Sequence, residues 1–131
     1  MSDFKVITKA ILKKNGKFLV IKRSPDAHAF ANYWDFPGGK LEEGEQPFKA
    51  VEREVFEETG LKAKAQSLAS AFVLHHQGEH LVFLSFNVRP LAGKVKVSSE
   101  HTEWKWVGKK FLLTEKFLEP FIRDLVEKKV V

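Results

Sequence analysis

Three glutamates, Glu54, Glu57 and Glu58, stand at spacing i, i+3, i+4 inside the stretch EREVFEETG, Glu52 to Gly60. Successive residues of a helix turn by about 100°, so this spacing gathers the three carboxylates on one face. Like charges placed this way repel by roughly 0.2–0.5 kcal/mol per i, i+4 pair. Arg53 is placed to offset part of that through an i, i+4 contact with Glu57. Two readings are open: a solvated surface helix, or a seat for a hard divalent cation. Mg²⁺ and Mn²⁺ prefer carboxylate and carbonyl oxygens, and a carboxylate cluster holds such ions next to phosphate. Upstream, Gly38-Gly39 lets the backbone approach a ligand closely, although such a pair alone is usually only a turn.

The elements that must position these groups follow from the flanking pattern. Pro47 fits the first turn of a helix, and Gly60 fits a left-handed C-cap after Thr59. Phe48, Val51 and Val55 supply one apolar stripe, so the helix can bury one side and offer its carboxylates to a cleft. Before it, Phe4 to Leu12 and Phe18 to Ile21 read as strands joined by a Lys14-Asn15-Gly16 turn. Arg23 to Ala31 is loop-like, and WDFPGGK, Trp34 to Lys40, is a short extended piece ending in a turn. After it come strand candidates at Ala65 to Leu74, Leu81 to Val88 and Glu103 to Val107. Glu115 to Lys129 reads as a closing helix, its main part opened by Pro120. Strands flanking one central helix, with another helix closing the chain, predict an α/β (α+β) fold with a mixed sheet.

The bulk properties bound the rest. A chain of 131 residues predicts a single domain spanning 1–131, and 44% hydrophobic content suits an ordinary core. With no cysteine, disulfides and thiolate metal sites are excluded. The stretch Met1 to Ala10 has no long apolar run, and nothing approaches the roughly 20 apolar residues of a membrane span. The expectation is therefore a cytoplasmic protein with no membrane partner. The formal charge of +5 mildly favours polyanionic ligands, but the basic residues are scattered along the chain, and no stable nucleic-acid binding is expected.

Read together, Gly39 to Leu61 resembles a complete Nudix box: Gly, five residues, Glu, seven residues, then Arg-Glu-apolar-x-Glu-Glu-x-Gly-apolar. Gly39, Glu45, Arg53, Glu54, Val55, Glu57, Glu58, Gly60 and Leu61 fill every defined position. The preceding Phe36 to Gly38 also fits the usual approach to the box. The resemblance implies an α/β/α sandwich, with the box as a loop-helix-loop. It implies Mg²⁺- or Mn²⁺-dependent hydrolysis of a nucleoside diphosphate linked to another group. It also implies roles: Glu54, Glu57 and Glu58 as metal ligands with the Gly38 carbonyl, Glu54 as base or as orienter of the attacking water, Arg53 holding the glutamates, and Glu45 stabilising the loop.

Outside the box the chain is most similar to MutT-type nucleoside triphosphate pyrophosphohydrolases. The likeness lies in the hairpin, KRSPDAH (Lys22 to His28), WDFPGGK and, thinly, TEWKWV (Thr102 to Val107) and LEPFI (Leu118 to Ile122). It implies cleavage of a (d)NTP to (d)NMP and pyrophosphate, with nucleotide-pool sanitation as the corresponding role. The alternatives are an ADP-ribose, nucleotide-sugar or dinucleoside polyphosphate hydrolase, or a non-catalytic nucleotide-binding module. In MutT-type enzymes a glutamate beyond the box completes the metal site; Glu103 matches it best and Glu100 is the second choice. Arg23, His28 and Lys40 are candidate substrate contacts. Phe30, Tyr33, Trp34 and Phe83 are candidates to stack on a base, each against a competing reading as core or pocket wall. The asparagine of the MutT-type guanine pocket falls near Leu118, which lacks the paired donor and acceptor of an amide. A small-molecule nucleotide is the expected partner, with the chain a monomer or homodimer.

Overall fold

The computed structural model describes residues 4–131, so the first three residues of the expected 1–131 domain and of the Met1 to Ala10 stretch lie outside it. The strands are β1 (Phe4–Lys14), β2 (Lys17–Arg23), β3 (Trp34–Asp35), β4 (Gly38–Lys40), β5 (Lys62–His76), β6 (Glu79–Ala92) and β7 (His101–Val107). The helices are α1 (Pro47–Thr59), α2 (Lys109–Thr114) and α3 (Pro120–Glu127). The sheet is mixed, in the order β3-β2-β1-β6-β5, with β4 added on β1 and β7 on β2. β1 runs parallel to β6 and antiparallel to β2 and β4.

Helices cover both faces, giving the α/β/α sandwich. On one face Val51 and Val55 of α1 join Ala10, Leu12, Leu19, Ile21, Phe86 and Val88. On the other, Phe121, Ile122, Leu125 and Val126 of α3 pack with Ile11, Val20, Trp34 and Phe36. Strand alternation sends odd and even residues of β1 and β2 to these two cores, which fixes register wherever both faces are buried. Phe48, expected in the apolar stripe of α1, is 42% exposed but still lays its ring edge-on against Phe86, centroids 4.8 Å apart.

Two expected elements change. β5 and β6 are longer than the apolar runs that mark them. Gln77 and Gly78 both take positive φ (49° and 80°), so the strands close through a tight turn that keeps pairing to the hairpin tip. The closing helix expected from Glu115 begins only at Pro120, and a separate short helix, α2, precedes it: Pro120 cannot donate its backbone N–H, and Glu119 before it is extended at ψ 128°. The intervening segment pairs instead with β3, through Trp34 N–H to Phe117 O (2.7 Å) and Glu119 N–H to Trp34 O (2.9 Å). No helix among the described residues is long and apolar enough to cross a membrane.

Candidate active site

α1 begins with Pro at its first turn and ends at Gly60, whose φ of 75° places its N–H on Phe56 O at 2.9 Å. Ala50, Val51, Val55 and Thr59 are buried, which leaves the Glu54, Glu57 and Glu58 side facing a cleft of about 710 Å³. Gly38, Gly39 and Lys40 of β4 line the same cleft, as do Arg23 at the end of β2, His28 of the β2–β3 loop, and Glu100 and His101 before and within β7.

Arg53 organises the carboxylates. Its guanidinium forks onto Glu45, Nε to Oε2 at 2.6 Å and Nη2 to Oε1 at 2.9 Å. Its Nη1 reaches both oxygens of Glu57 at 3.0 Å and lies 3.1 Å from Glu54 Oε1. Glu45 also accepts the Glu42 N–H at 3.1 Å, tying the polar loop to the helix. The Arg53 hydrogen bond, then that backbone bond, holds the Glu45 carboxyl below its ordinary range. Arg53 itself is raised further above its already high value, chiefly by Glu45.

Glu58 turns the other way and accepts the Gly38 N–H at 2.9 Å. Burial pushes its carboxyl up to about 8, against the opposing pull of the Lys9 cation. Burial also raises Glu54, whose side chain is 13% exposed, while Arg53 pulls it down. Lys9 sits under the cleft with Nζ 2.8 Å from Asp35 Oδ2. Burial works against that ammonium, but Asp35, then Glu58 and Glu119, raise it above its ordinary value, so it stays charged. Asp35 also takes Arg23 Nη1 at 3.5 Å, while its Oδ1 has no partner among the described residues. Burial, with Asp35 adding to it, pushes Glu119 up to about 7. Burial drives His101 down to about 4, leaving a neutral imidazole at pH 7.

The structure thus brings Gly38, Gly39, Lys40, Arg23, His28, Arg53 and the three helix glutamates to one cleft, and it separates three other expected residues from it. Glu103 stands opposite Lys22, whose Nζ lies 3.3 Å from its carboxylate. A register shift at Lys22/Arg23 places His101, not Thr102, opposite Arg23, so simple alternation from the cleft misplaces Glu103. Glu100 lines the cleft instead, its carbonyl accepting the Ser24 N–H at 2.9 Å. Trp34 is 5% exposed, bridged to Leu118 and covered by Lys105 Nζ at 4.8 Å, so it offers no surface to a base. Phe83 is stacked on both faces, by Phe72 and Phe121, each with centroids 5.4 Å away. The buried Lys9 was missed by sequence reasoning, although a lone cation inside the apolar run VITKAIL marks it.

The carboxylates of Glu54, Glu57, Glu58 and Glu100 and the Gly38 carbonyl offer the cleft oxygen donors, which suit Mg²⁺ or Mn²⁺. The fit is by chemistry, not by prior assembly: no three carboxylates or imidazoles among the described residues are drawn together as a ready metal group. Glu54 and Glu57 lean on Arg53 in this structure, while Glu58 leans on Gly38.

Comparison with known proteins gives one consistent result. A NUDIX domain family model matches residues 5–128. A MutT-like protein of Streptomyces ambofaciens is 33% identical over 97 residues, covering 74% of this chain and 58% of that protein. An 8-oxo-dGTP diphosphatase of Escherichia coli (strain K12) is 35% identical over 81 residues, covering 62% of each. The chain therefore spans about three-fifths of the length of these curated relatives. The crystal structure of a MutT protein from Methanosarcina mazei Go1 superimposes with a TM-score of 0.86 at 28% identity, over 97% of this chain and 93% of that one.

Proposed function

The chain belongs to the NUDIX domain family, and from that premise we propose that it is a Mg²⁺- or Mn²⁺-dependent pyrophosphohydrolase. Its substrate class is a nucleoside triphosphate, cleaved with one water to the nucleoside monophosphate and pyrophosphate. One observation carries this reading: α1 turns Glu54, Glu57 and Glu58 into the same cleft that Arg23, Lys40 and His28 line from the other side. Carboxylates for a cation and cations for phosphate face each other across one cavity.

Glu54, Glu57, Glu58, the Gly38 carbonyl and Glu100 are the residues that would hold the ion. When bound, a divalent cation offsets phosphate charge and makes water more acidic. Glu54, part-shielded and raised by burial, is the group assigned to accept the proton of the attacking water. Arg53 acts as a positioning residue, since one guanidinium fixes Glu45, Glu54 and Glu57 together. Arg23 and Lys40 bind the phosphate chain, and Lys9 keeps positive charge beneath Glu58. Leu118 is buried against Trp34, so no amide from that position reads a base, and no preference for oxidised guanine is assigned.

The test is a panel of dNTPs, NTPs, ADP-ribose and nucleotide sugars, each with Mg²⁺ and with Mn²⁺, with products separated chromatographically. Monophosphate plus pyrophosphate from triphosphates is the expected result. Release of AMP and ribose 5-phosphate from ADP-ribose alone would move the substrate class, and no turnover of any compound would overturn the reading.

A further inference from the structure

A second cavity, about 680 Å³, lies at the far end of the sheet and shares no lining residue with the acidic cleft. Its walls come from four separated segments: Lys13 and Lys14 at the end of β1, Leu61 after α1, Arg89 to Val95 at the end of β6 and beyond, and Trp104 and Trp106 of β7. Trp104 and Trp106 pair with Ile21 and Leu19 of β2, so strand alternation puts both indoles on one face. Trp104 is 44% exposed, and Leu91 beside the cavity is 56% exposed. No aspartate or glutamate among the described residues lines the cavity. Lys14, Arg89 and Lys94 are exposed and form no ion pair with a carboxylate among the described residues. The wall carrying Lys94 is held firmly: Lys96 N–H donates to Thr59 O at 2.9 Å, and a Cβ on Gly93 would meet Gly60 O at 3.0 Å.

Three exposed cations without a carboxylate partner among the described residues, set around an exposed indole, suit an anionic, flat partner. Phosphate supplies the charge, and a base supplies a π-face that stacks on an aromatic ring whatever its sequence. The cavity volume lies within the range of ordinary ligand sites. The sequence hides this arrangement because its cations and tryptophans are far apart along the chain.

We propose that this groove binds phosphorylated nucleobases, with the base against Trp104 and the phosphates among Lys14, Arg89 and Lys94. The ligand is a free nucleotide or a unit of a single strand, which share this chemistry. The site is separate from the acidic cleft and binds without a divalent cation.

The test uses fluorescein-labelled dT8 in EDTA and low salt, read by anisotropy, so it does not depend on turnover and stands apart from the hydrolase reading. Measurable binding is expected, weakened roughly tenfold by Trp104→Ala, in line with the stacking contribution of a single base. Arg89→Glu and Lys94→Glu, both exposed, are expected to weaken it at least as much, and they remain informative if Trp104→Ala does not fold. The slope of log Kd against log salt is expected at about 2, at roughly 0.7 per phosphate neutralised by the three cations. Competition by dTTP would assign a free nucleotide as sufficient; displacement by oligonucleotides alone would assign a strand. No binding of either, equal binding by the Trp104→Ala and charge-reversed variants, or displacement by inorganic tripolyphosphate as effective as by nucleotide would overturn the proposal. So would binding to phosphatidylglycerol vesicles in the absence of oligonucleotide binding.

Discussion

Adjacent glycines in the turn before the Nudix helix are expected to fail in opposite ways when replaced by alanine. A Cβ on Gly39 would lie 2.6 Å from Glu54 Cδ and Oε2 and 2.7 Å from Oε1, and would meet nothing closer. Ordinary contact begins near 3.4 Å, so the carboxylate must retreat by about 1 Å, a displacement that can cost about 100-fold in rate when it falls on a reacting group. The backbone need not move, because the obstructed atoms are the free end of a side chain. Gly39→Ala is therefore expected to keep its melting temperature within a few degrees while kcat falls by about 100-fold. A Cβ on Gly38 would instead sit 2.0 Å from Thr8 O and 2.8 Å from Lys9 Cα, at a φ of 156°. Relief requires β4 to leave β1, so Gly38→Ala is expected to cost at least the roughly 1–3 kcal/mol of overpacking and to lower the melting temperature markedly. Pyrophosphate release and thermal unfolding, measured on both variants, separate the two. Wild-type kcat in Gly39→Ala, or equal thermal losses in the two variants, would refute the reasoning.

Three further outcomes follow from the charged groups around the cleft. Lys9→Met leaves Asp35 as a buried charge without its main partner and is expected to destabilise by about 3–5 kcal/mol, with much of the loss recovered in Lys9→Met/Asp35→Asn; urea unfolding of both checks it. Glu119 has a folded-state pKa raised to about 7 from an ordinary 4.5, so the folded chain binds the extra proton and its stability is lost as pH rises between those values. Glu119→Gln is accordingly expected to flatten the fall in urea midpoint between pH 5 and 8 in metal-free buffer, and an unchanged slope would contradict it. Glu58, pushed up to about 8 by burial, is largely protonated at pH 7, and cation binding to its carboxylate is expected to release the proton. Calorimetric titration of Mn²⁺ in two buffers of different ionisation enthalpy measures that proton count, which should fall in Glu58→Gln.

Local signals made α1 legible: the i, i+3, i+4 glutamates, Pro47 at its start and Gly60 at its end all act within one or two turns. Arg53 and Glu45 were legible for the same reason, eight residues apart on a loop that closes onto the helix. What could not be read depends on pairing between distant segments. Glu100 replaces Glu103 at the cleft because a bulge against Lys22/Arg23 shifts strand parity, and a bulge leaves no mark in alternation. Trp34 and Phe83 have the side chains of a base platform, but Leu118 and Lys105 cover one while Phe72 and Phe121 fill both faces of the other. Lys9 was visible as an intruder in an apolar strand, while its partner Asp35 was visible only once β3 had paired with β2 beside β1.

In the proposed reaction the α1 carboxylates hold the cation that drives pyrophosphate cleavage. This is tested most directly by pyrophosphate release from a turned-over nucleoside triphosphate as Mg²⁺ is titrated, comparing the wild-type chain with Glu57→Gln and Glu58→Gln of unchanged melting temperature. No release is expected without Mg²⁺, and kcat is expected to fall strongly in both variants. Wild-type kcat in both variants, or turnover of the wild type in EDTA, would contradict it.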